Sequence, residues 1–283
     1  MKRARRIVLP AAAVVLTFVA CDRPTSSNAP ASATPPTETS AAPSAAASAA
    51  TAAGPAGTTS AVASSGAGGP ALAARFDSEP VGGPSGALEA VVGDWHVAQA
   101  AGATGFEVDG TKWRDGVPSS NLAEQAKRLY GDRYAEFLDG VKAFAFYPLA
   151  ILKESPPAGD LRMSVRFYPV AGKIDQAAGI AYGIGPDGSY SGVRANALED
   201  NLLYFTVAKG KRTVHDTIRG VATPSRTWHS LVLELRGKNL VVTVDGAKRF
   251  EKKLDVVPQG RVGLWSKADS KVLFDDFEVT RLQ

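Results

Sequence analysis

The chain has 283 residues, of which 45 % are hydrophobic, and its formal net charge is +4. Four basic residues and no acidic ones lie in residues 1–20, which leaves 28 basic and 28 acidic residues in the remainder. The positive balance therefore belongs to the leader, and we expect no nucleic-acid partner. The single cysteine, Cys21, excludes an internal disulfide, so a folded domain must depend on its hydrophobic core.

Residues 1–20 have the pattern of a bacterial lipoprotein signal peptide. Basic residues precede an apolar run of 14 residues, Ile7–Ala20, which is shorter than the roughly 20 residues that span a bilayer. The order of a small residue followed by Cys21 resembles a lipobox, although Phe18 stands where leucine is usual. We predict that Cys21 is lipidated and that the protein is anchored to a membrane of the bacterial cell envelope, outside the cytoplasm. The alternative is an ordinary signal peptide that is cut nearby and leaves a free thiol.

Residues 21–73 differ in composition from the rest of the chain. They are rich in Ala, Ser, Thr, Pro and Gly, with almost no charge and few large apolar residues. Such a segment cannot bury enough apolar surface to offset the entropy lost on ordering. We predict a disordered tether here and one folded domain over residues 74–283, which is long enough for a sizeable core.

Period-two alternation and turn signals predict short strands along most of the folded domain. An opening strand is predicted at Phe76-Asp77, and about a dozen strands in total are bounded by Gly, Pro and Asp turns. Only residues 121–142 depart from this pattern, because a period near 3.6 predicts one broken helix or two short ones there. We expect the apolar stripe of this insertion to pack on the sandwich rather than on a partner. The whole pattern indicates an all-β sandwich or jelly roll with a short helical insertion.

The stretch 175–212 organises this prediction. In it, apolar residues alternate with Arg194 and Asn196, so these two polar side chains are expected to point away from the core. Tyr204 is predicted on the polar side of the following strand. Because consecutive strands are neighbours about two-thirds of the time, the three side chains are expected to converge on one polar face.

Three segments resemble a known family: DQAAGI at 175–180, SYSGVRANALEDN at 189–201 and GLWSKADSKVLFDDFEV at 263–279. They are similar to bacterial secreted β-sandwiches that are grouped as 3-keto-disaccharide hydrolase or laminin-G-like domains. The resemblance covers residues 146–283 and implies a concanavalin A-like lectin/glucanase fold, with a glycoside or 3-keto-glycoside hydrolase as the family's usual activity. The helical insertion at 121–142 departs from the family pattern.

The acidic residues do not identify a catalytic pair. Active glucanases of this fold carry Glu-x-Asp-x-x-Glu on one strand, and this sequence has no such motif. In the run FDDFE, Phe274 and Phe277 can both point inward only if the strand contains a bulge. A bulged closing strand would place Asp275, Asp276 and Glu278 against solvent or neighbouring backbone. The catalytic residues are therefore unassigned.

Metal and cofactor signals are sparse. No two of the three histidines have metal-ligand spacing, so we predict no transition-metal site and no cofactor. A Ca²⁺ site is the one alternative to this prediction. The turn residues Asp187 and Asp200 could act as its ligands, as in some lectins of this fold. Trp228 begins a predicted strand, and the resemblance to laminin-G-like domains implies that it lies in the core.

Six residues are candidates for binding a carbohydrate: Arg194, Asn196, Tyr204, Asn201, Tyr190 and Trp265. Guanidinium and amide groups can pair with vicinal hydroxyls, and aromatic rings offer faces on which a sugar can stack. The expected partner is a polysaccharide or oligosaccharide. Three functions remain open: a membrane-tethered glycan-binding β-sandwich, a glycoside or 3-keto-glycoside hydrolase, and a non-catalytic structural or interaction lipoprotein.

Overall fold

The computed structural model describes residues 72–111, 122–140, 147–156 and 159–283. The predicted signal peptide, Cys21 and nearly all of the predicted tether lie outside the described residues. None of the described helices is long and apolar enough to cross a membrane.

Two antiparallel sheets form a sandwich, which confirms the predicted fold class. Sheet A contains β1 (Leu72–Ala74), β3 (Trp95–Ala100), β4 (Ala103–Asp109), β6 (Leu161–Ala171), β11 (His229–Arg236), β12 (Asn239–Val244), β13 (Ala247–Lys253) and β15 (Lys271–Arg281). Sheet B contains β2 (Leu88–Val92), β5 (Leu149–Leu152), β7 (Ala177–Ile184), β8 (Tyr190–Asn196), β9 (Asn201–Ala208), β10 (Lys211–Arg219) and β14 (Arg261–Ser266). The strand order is β13-β12-β11-β6-β15-β4-β3 in sheet A, where β1 also pairs with β15, and β10-β9-β8-β7-β14-β5-β2 in sheet B.

Alternating side chains build the core between the sheets. In β6, Met163, Val165 and Phe167 are buried, and the residues between them face outward. Full burial of one such side chain contributes about 1.5–3 kcal/mol. The opening strand differs from the prediction: β1 ends at Ala74, and Phe76 follows it as a buried core residue outside any strand.

The closing strand β15 contains the bulge that FDDFE predicts. The pairing of β15 with β6 shifts between Asp275 and Glu278, and Asp276 adopts a positive φ of 48°. The extra residue lets Phe274 and Phe277 both lie fully buried in the core. As a result, the acidic residues of the run collect on the outer face of sheet A.

The helical insertion forms two short helices, as predicted. Helix α1 (Leu122–Tyr130) and helix α2 (Tyr134–Gly140) are joined by a 3₁₀ turn, which begins at Gly131 with a φ of 55°. The apolar stripe packs against the outer face of sheet B, where Ala126, Leu129 and Phe137 are buried. Arg128 also donates to the Glu89 carboxylate of β2, at 2.8 Å. Sheet B therefore has a second apolar core on its outer side.

Candidate functional site

The predicted binding residues do not all lie on one face. Five of them lie on the outer face of sheet B: Tyr190, Arg194, Asn196, Asn201 and Trp265. Tyr204 lies on the inner face, where it pairs with Val193 and joins the core between the sheets. The prediction of its direction was wrong because Leu203 and Phe205 are also apolar. In β9 both faces are buried, so hydrophobic alternation cannot identify which one faces the other sheet.

Arg194 is held by its own chain. It is only 1 % exposed, and its guanidinium donates through Nη1 to Asn201 Oδ1 and through Nη2 to Glu199 Oε2. Burial lowers the pKa of Arg194, although the hydrogen bond and charge of Glu199 oppose that shift. The guanidinium thus closes the turn between β8 and β9 and is not displayed on an open surface.

Asn196 extends this network beneath the same turn. Its Oδ1 accepts from the backbone N–H groups of Gln176 and Leu198, each at 3.1 Å, and its Nδ2 donates to Asp175 at 2.8 Å. Asp175 in turn lies 2.7 Å from the ammonium of Lys267. Buried networks of this kind fix backbone geometry when their members are satisfied. We refer to the network around Arg194, Asn196 and Asn201 as the motif network.

The aromatic members of the predicted site are also buried. Trp265 has no exposed surface, and its indole N–H donates to the Tyr190 hydroxyl at 3.1 Å. The indole lies against the rings of Phe205 and Tyr147, with ring centres 4.7 Å and 5.6 Å away. A carbohydrate-binding role for the six predicted residues stays a prediction, and in this structure the five on the outer face are packed into the fold.

An open trough lies on the other sheet. It has a volume of about 590 Å³ and crosses the outer face of sheet A. The strand register places Glu278, Ser164, Val232 and Thr243 in one row across β15, β6, β11 and β12. The short side chains in this row form the floor, and longer charged side chains rise on both sides of it.

One ridge of the trough contains Arg162 and Glu234, whose charged groups are 3.6 Å apart. The opposite ridge is built around Arg166, whose Nη1 lies 3.1 Å from Asp276 and 3.7 Å from Asp275. Arg75 closes one end, where it pairs with Asp276 and Glu278. The Arg166 side chain is 43 % exposed, so it remains accessible to a ligand.

Two aromatic rings lie next to the Arg166 ridge. The guanidinium carbon of Arg166 is 4.4 Å from the ring centre of Trp228, and the Tyr168 ring is 5.4 Å from the same indole. The expectation that Trp228 lies in the core was wrong. His229 takes the inward position opposite Phe167, so the preceding residue turns to the outer face and is only partly buried.

Asp275 borders the trough without lining it, and its carboxyl group has an unusual environment. Burial is the main cause that raises its pKa, and the Asp276 carboxylate adds to the shift, while the backbone N–H of Asp276 and the charge of Arg166 oppose it. A carboxyl group with a raised pKa can act as a proton donor. Asp275, which lies 3.7 Å from Arg166 at the edge of the trough, is therefore the acid that we consider for catalysis.

Among the described residues, no group of three or more His, Cys, Asp or Glu side chains converges. Asp187 precedes β8, and its carboxylate accepts from the Ser189 backbone and hydroxyl. Asp200 follows β8 at a positive φ of 47°. The strand between them is about 20 Å long, so the two cannot share one ion. Ca²⁺ at either position stays a prediction.

The trough was missed although its sequence signal was present. Arg162, Ser164 and Arg166 alternate with the buried residues of β6, which places them on one outward face. The acids of the FDDFE bulge lie on the same face. What the sequence does not reveal is that β6 and β15, more than 100 residues apart, are direct neighbours.

Comparisons with known proteins found similarity only among solved structures. No protein-family model and no curated protein matches the chain. The carbohydrate-binding module CBM66 from Bacillus subtilis is 13 % identical over 70 % of this chain and 99 % of its own, with a TM-score of 0.48. A Bacillus subtilis protein of unknown function with a galectin-like fold is 12 % identical over 48 % of this chain and 77 % of its own, with a TM-score of 0.40. The galectin LEC-6 of Caenorhabditis elegans is 14 % identical over 50 % of this chain and 96 % of its own, with a TM-score of 0.35.

Identities and TM-scores of this size do not assign a function, and the hydrolase and laminin-G-like resemblance stays a prediction. The function is therefore argued from the chain's own surface.

Proposed function

We propose that this protein is a glycan-binding β-sandwich and that its site is the trough on sheet A. The observation that supports the proposal is the pairing of guanidinium and carboxylate groups along both sides of a floor that contains hydroxyl side chains. Guanidinium groups only donate hydrogen bonds, and ionised carboxylates only accept them. A sugar hydroxyl does both, so a hydroxyl-rich ligand matches the two ridges at once.

The charge balance of the trough favours a neutral glycan. Arg75, Arg162 and Arg166 are all paired with carboxylates in the trough, so neither sign of charge dominates. A strongly anionic or cationic ligand would have to displace these pairs. The rings of Trp228 and Tyr168 lie at the edge of the Arg166 ridge and offer an apolar surface for the face of a sugar ring.

The dimensions of the trough favour an extended oligomer. Its floor crosses four strands, and a strand spacing of about 4.8 Å makes it roughly 14 Å long. Its volume of about 590 Å³ lies within the range of small-molecule and oligomer sites. The ligand in this proposal is a stretch of polysaccharide that lies across the strands.

We further propose that a lipid at Cys21 and a flexible tether hold this sandwich at a membrane surface. The support is the sequence of residues 1–73 alone: a basic and apolar leader, one cysteine and a low-complexity segment. A tethered binding domain would keep a polysaccharide close to the bacterial envelope.

Affinity electrophoresis through gels that contain neutral polysaccharides tests the proposal. We expect the wild-type protein to be retarded by at least one of them, and Arg166→Ala to bind about ten- to hundredfold more weakly, as for the loss of a hydrogen bond to a charged group. The matched control is Arg219→Ala on exposed β10, which should be retarded like wild type. No retardation in any gel, or equal retardation of both variants, would overturn the proposal.

Hydrolysis is the second candidate, and the raised pKa of Asp275 is the observation that favours it. The test is release of reducing ends from any polysaccharide that binds, and release of a 3-keto sugar from a 3-keto-glycoside that is supplied already oxidised. A hydrolase requires that wild type releases product and that Asp275→Asn does not. If the wild type binds the polysaccharide and releases neither product, the protein is a binding module and not a hydrolase.

A further inference from the structure

The inner face of sheet B contains a row of hydroxyl side chains at one end of the sandwich. The strand register pairs Tyr182 with Ser191, Ser191 with Thr206, and Thr206 with Thr213, across β7, β8, β9 and β10. Cross-strand partners lie on the same face of a sheet. Inner positions nearer the middle of these strands, such as Ile180, are apolar. This hydroxyl row therefore gives the inner face a polar end.

A cleft opens above this row. Its volume is about 460 Å³, and it lies between the β8–β9 hairpin and the segment 254–259, which crosses from β13 in sheet A to β14 in sheet B. Ser191, Tyr204 and Thr206 line one side. The crossing segment lines the other with Val256 and Val257, which are 69 % and 48 % exposed.

The polar side of the cleft is ordered by contacts among its own residues. Thr206 Oγ1 lies 2.8 Å from His215 Nε2, and the His215 ring is 5.4 Å from the ring of Tyr204. Tyr182 is 1 % exposed, and its hydroxyl lies close to the hydroxyls of Ser191 and Tyr204. The hydroxyls that line the cleft are therefore held in place by other polar groups of the same row.

We propose that this cleft binds a single neutral, polyhydroxylated ring, as a second site separate from the trough on sheet A. The hydroxyl row presents donors and acceptors to one edge of the ring, while Val256 and Val257 cover its apolar face. Among the described residues that line the cleft, Asp255 is the one with a charge, which disfavours an anionic ligand. The volume of about 460 Å³ lies within the range of small-molecule sites.

Ligand-detected saturation-transfer NMR on the full chain tests this proposal, with glucose, galactose, mannose and N-acetylglucosamine as probes. We expect the wild type to transfer saturation to at least one of these hexoses. Thr206→Val removes one hydroxyl with little change of shape and should weaken binding about fivefold. Val257→Trp fills the cleft from an exposed position and should abolish the transfer.

The matched control for the added indole is Val214→Trp, at another exposed valine, which should behave as wild type. If Thr206→Val fails to fold, the Val257→Trp and Val214→Trp pair decides alone. No transfer to any hexose in wild type, or undiminished transfer in Val257→Trp, overturns the cleft. Arg166→Ala separates the two sites, because it should lose polysaccharide retardation and keep hexose binding. The proposal for the cleft and the proposal for the trough can therefore be rejected independently of each other.

Discussion

The guanidinium of Arg166 lies 4.4 Å from the ring centre of Trp228 and 3.1 Å from the carboxylate of Asp276. Stacking on the ring and pairing with the carboxylate restrict the orientation of the side chain before any ligand arrives. A guanidinium has five N–H donors, so donors remain for a ligand after these contacts. A polar group held in place in advance loses less entropy on binding.

The motif network leads to a prediction about stability. Arg194→Ala removes a buried guanidinium, so Asn201 Oδ1 loses the hydrogen bond that it accepts from Arg194. We expect a loss of about 1–3 kcal/mol of unfolding free energy, because the buried Asn201 Oδ1 is left without its donor, whereas the half-exposed Glu199 carboxylate is hydrated. For a domain of this size that loss lowers Tm by roughly 2–12 °C. Thermal denaturation followed by circular dichroism measures it.

Arg219→Ala is the control for this comparison, since Arg219 is exposed at the end of β10 and should change stability by less than about 0.5 kcal/mol. If Arg194→Ala has the same Tm as Arg219→Ala and the wild type, the motif network does not stabilise the fold. Arg194 would then return to consideration as a binding residue.

Close packing on the outer face of sheet B gives a second prediction. A Cβ atom at position 192 would lie 2.5 Å from the Phe205 ring, which is fully buried and packed against Trp265. Gly192→Ala should therefore destabilise the domain by about 1–3 kcal/mol through overpacking. Urea unfolding is the measurement, and a variant at least as stable as wild type would show that this second core is loosely packed.

Asp275 gives a prediction about pH. Its folded-state pKa is above the ordinary 3.8, so the folded state binds this proton more tightly than the unfolded state does. The corresponding stabilisation is complete below about pH 4 and is lost as the pH rises through the raised pKa. Asp275→Asn should thus unfold at higher urea than wild type at pH 7, and the difference should vanish below about pH 4.

Glu199→Gln is the matched comparison because its shift has the opposite sign. Burial raises the pKa of Glu199, but the hydrogen bond and charge of Arg194 outweigh burial, so the net pKa is lowered. Its stabilisation is present above about pH 4.5 and is lost in acid, so Glu199→Gln should be less stable than wild type at pH 7. Lower stability of Asp275→Asn at pH 7 would mean that its pairing with Arg166 outweighs burial.

Local sequence patterns predicted much of the fold for clear physical reasons. The FDDFE bulge follows from two phenylalanines that must both reach the core, and the break at Gly131 follows from a residue that accepts positive φ. Both features depend on residues close together in the chain. The pattern also placed Arg194 correctly on the face turned away from the other sheet.

The candidate site was predicted less well because it depends on what covers each face. Arg194 and Asn196 point away from the inner core, yet they are buried by polar partners and by packing on the outer face of sheet B. Sequence alternation gives the direction of a side chain and not the solvent exposure of its face. The trough requires the pairing of β6 with β15, a long-range contact that no local pattern reveals.

The leader supplies a prediction that is independent of the sandwich. We expect mass spectrometry of the mature N-terminus to find a diacylglycerol-modified Cys21. Cys21→Ser should release the protein from membranes or leave it unprocessed. An unmodified N-terminus at another residue near position 21 would identify an ordinary secreted protein.

Amide chemical-shift mapping tests the central proposal most directly. Isotope-labelled protein is titrated with fragments of whichever polysaccharide retards it in a gel. The trough predicts that the largest shifts fall on β6, β11 and β15, near Ser164, Arg166 and Val232, together with the indole N–H of Trp228. Shifts that instead cluster on the motif network around Arg194, with sheet A unperturbed, would contradict the proposal and place the glycan on the other face of the sandwich.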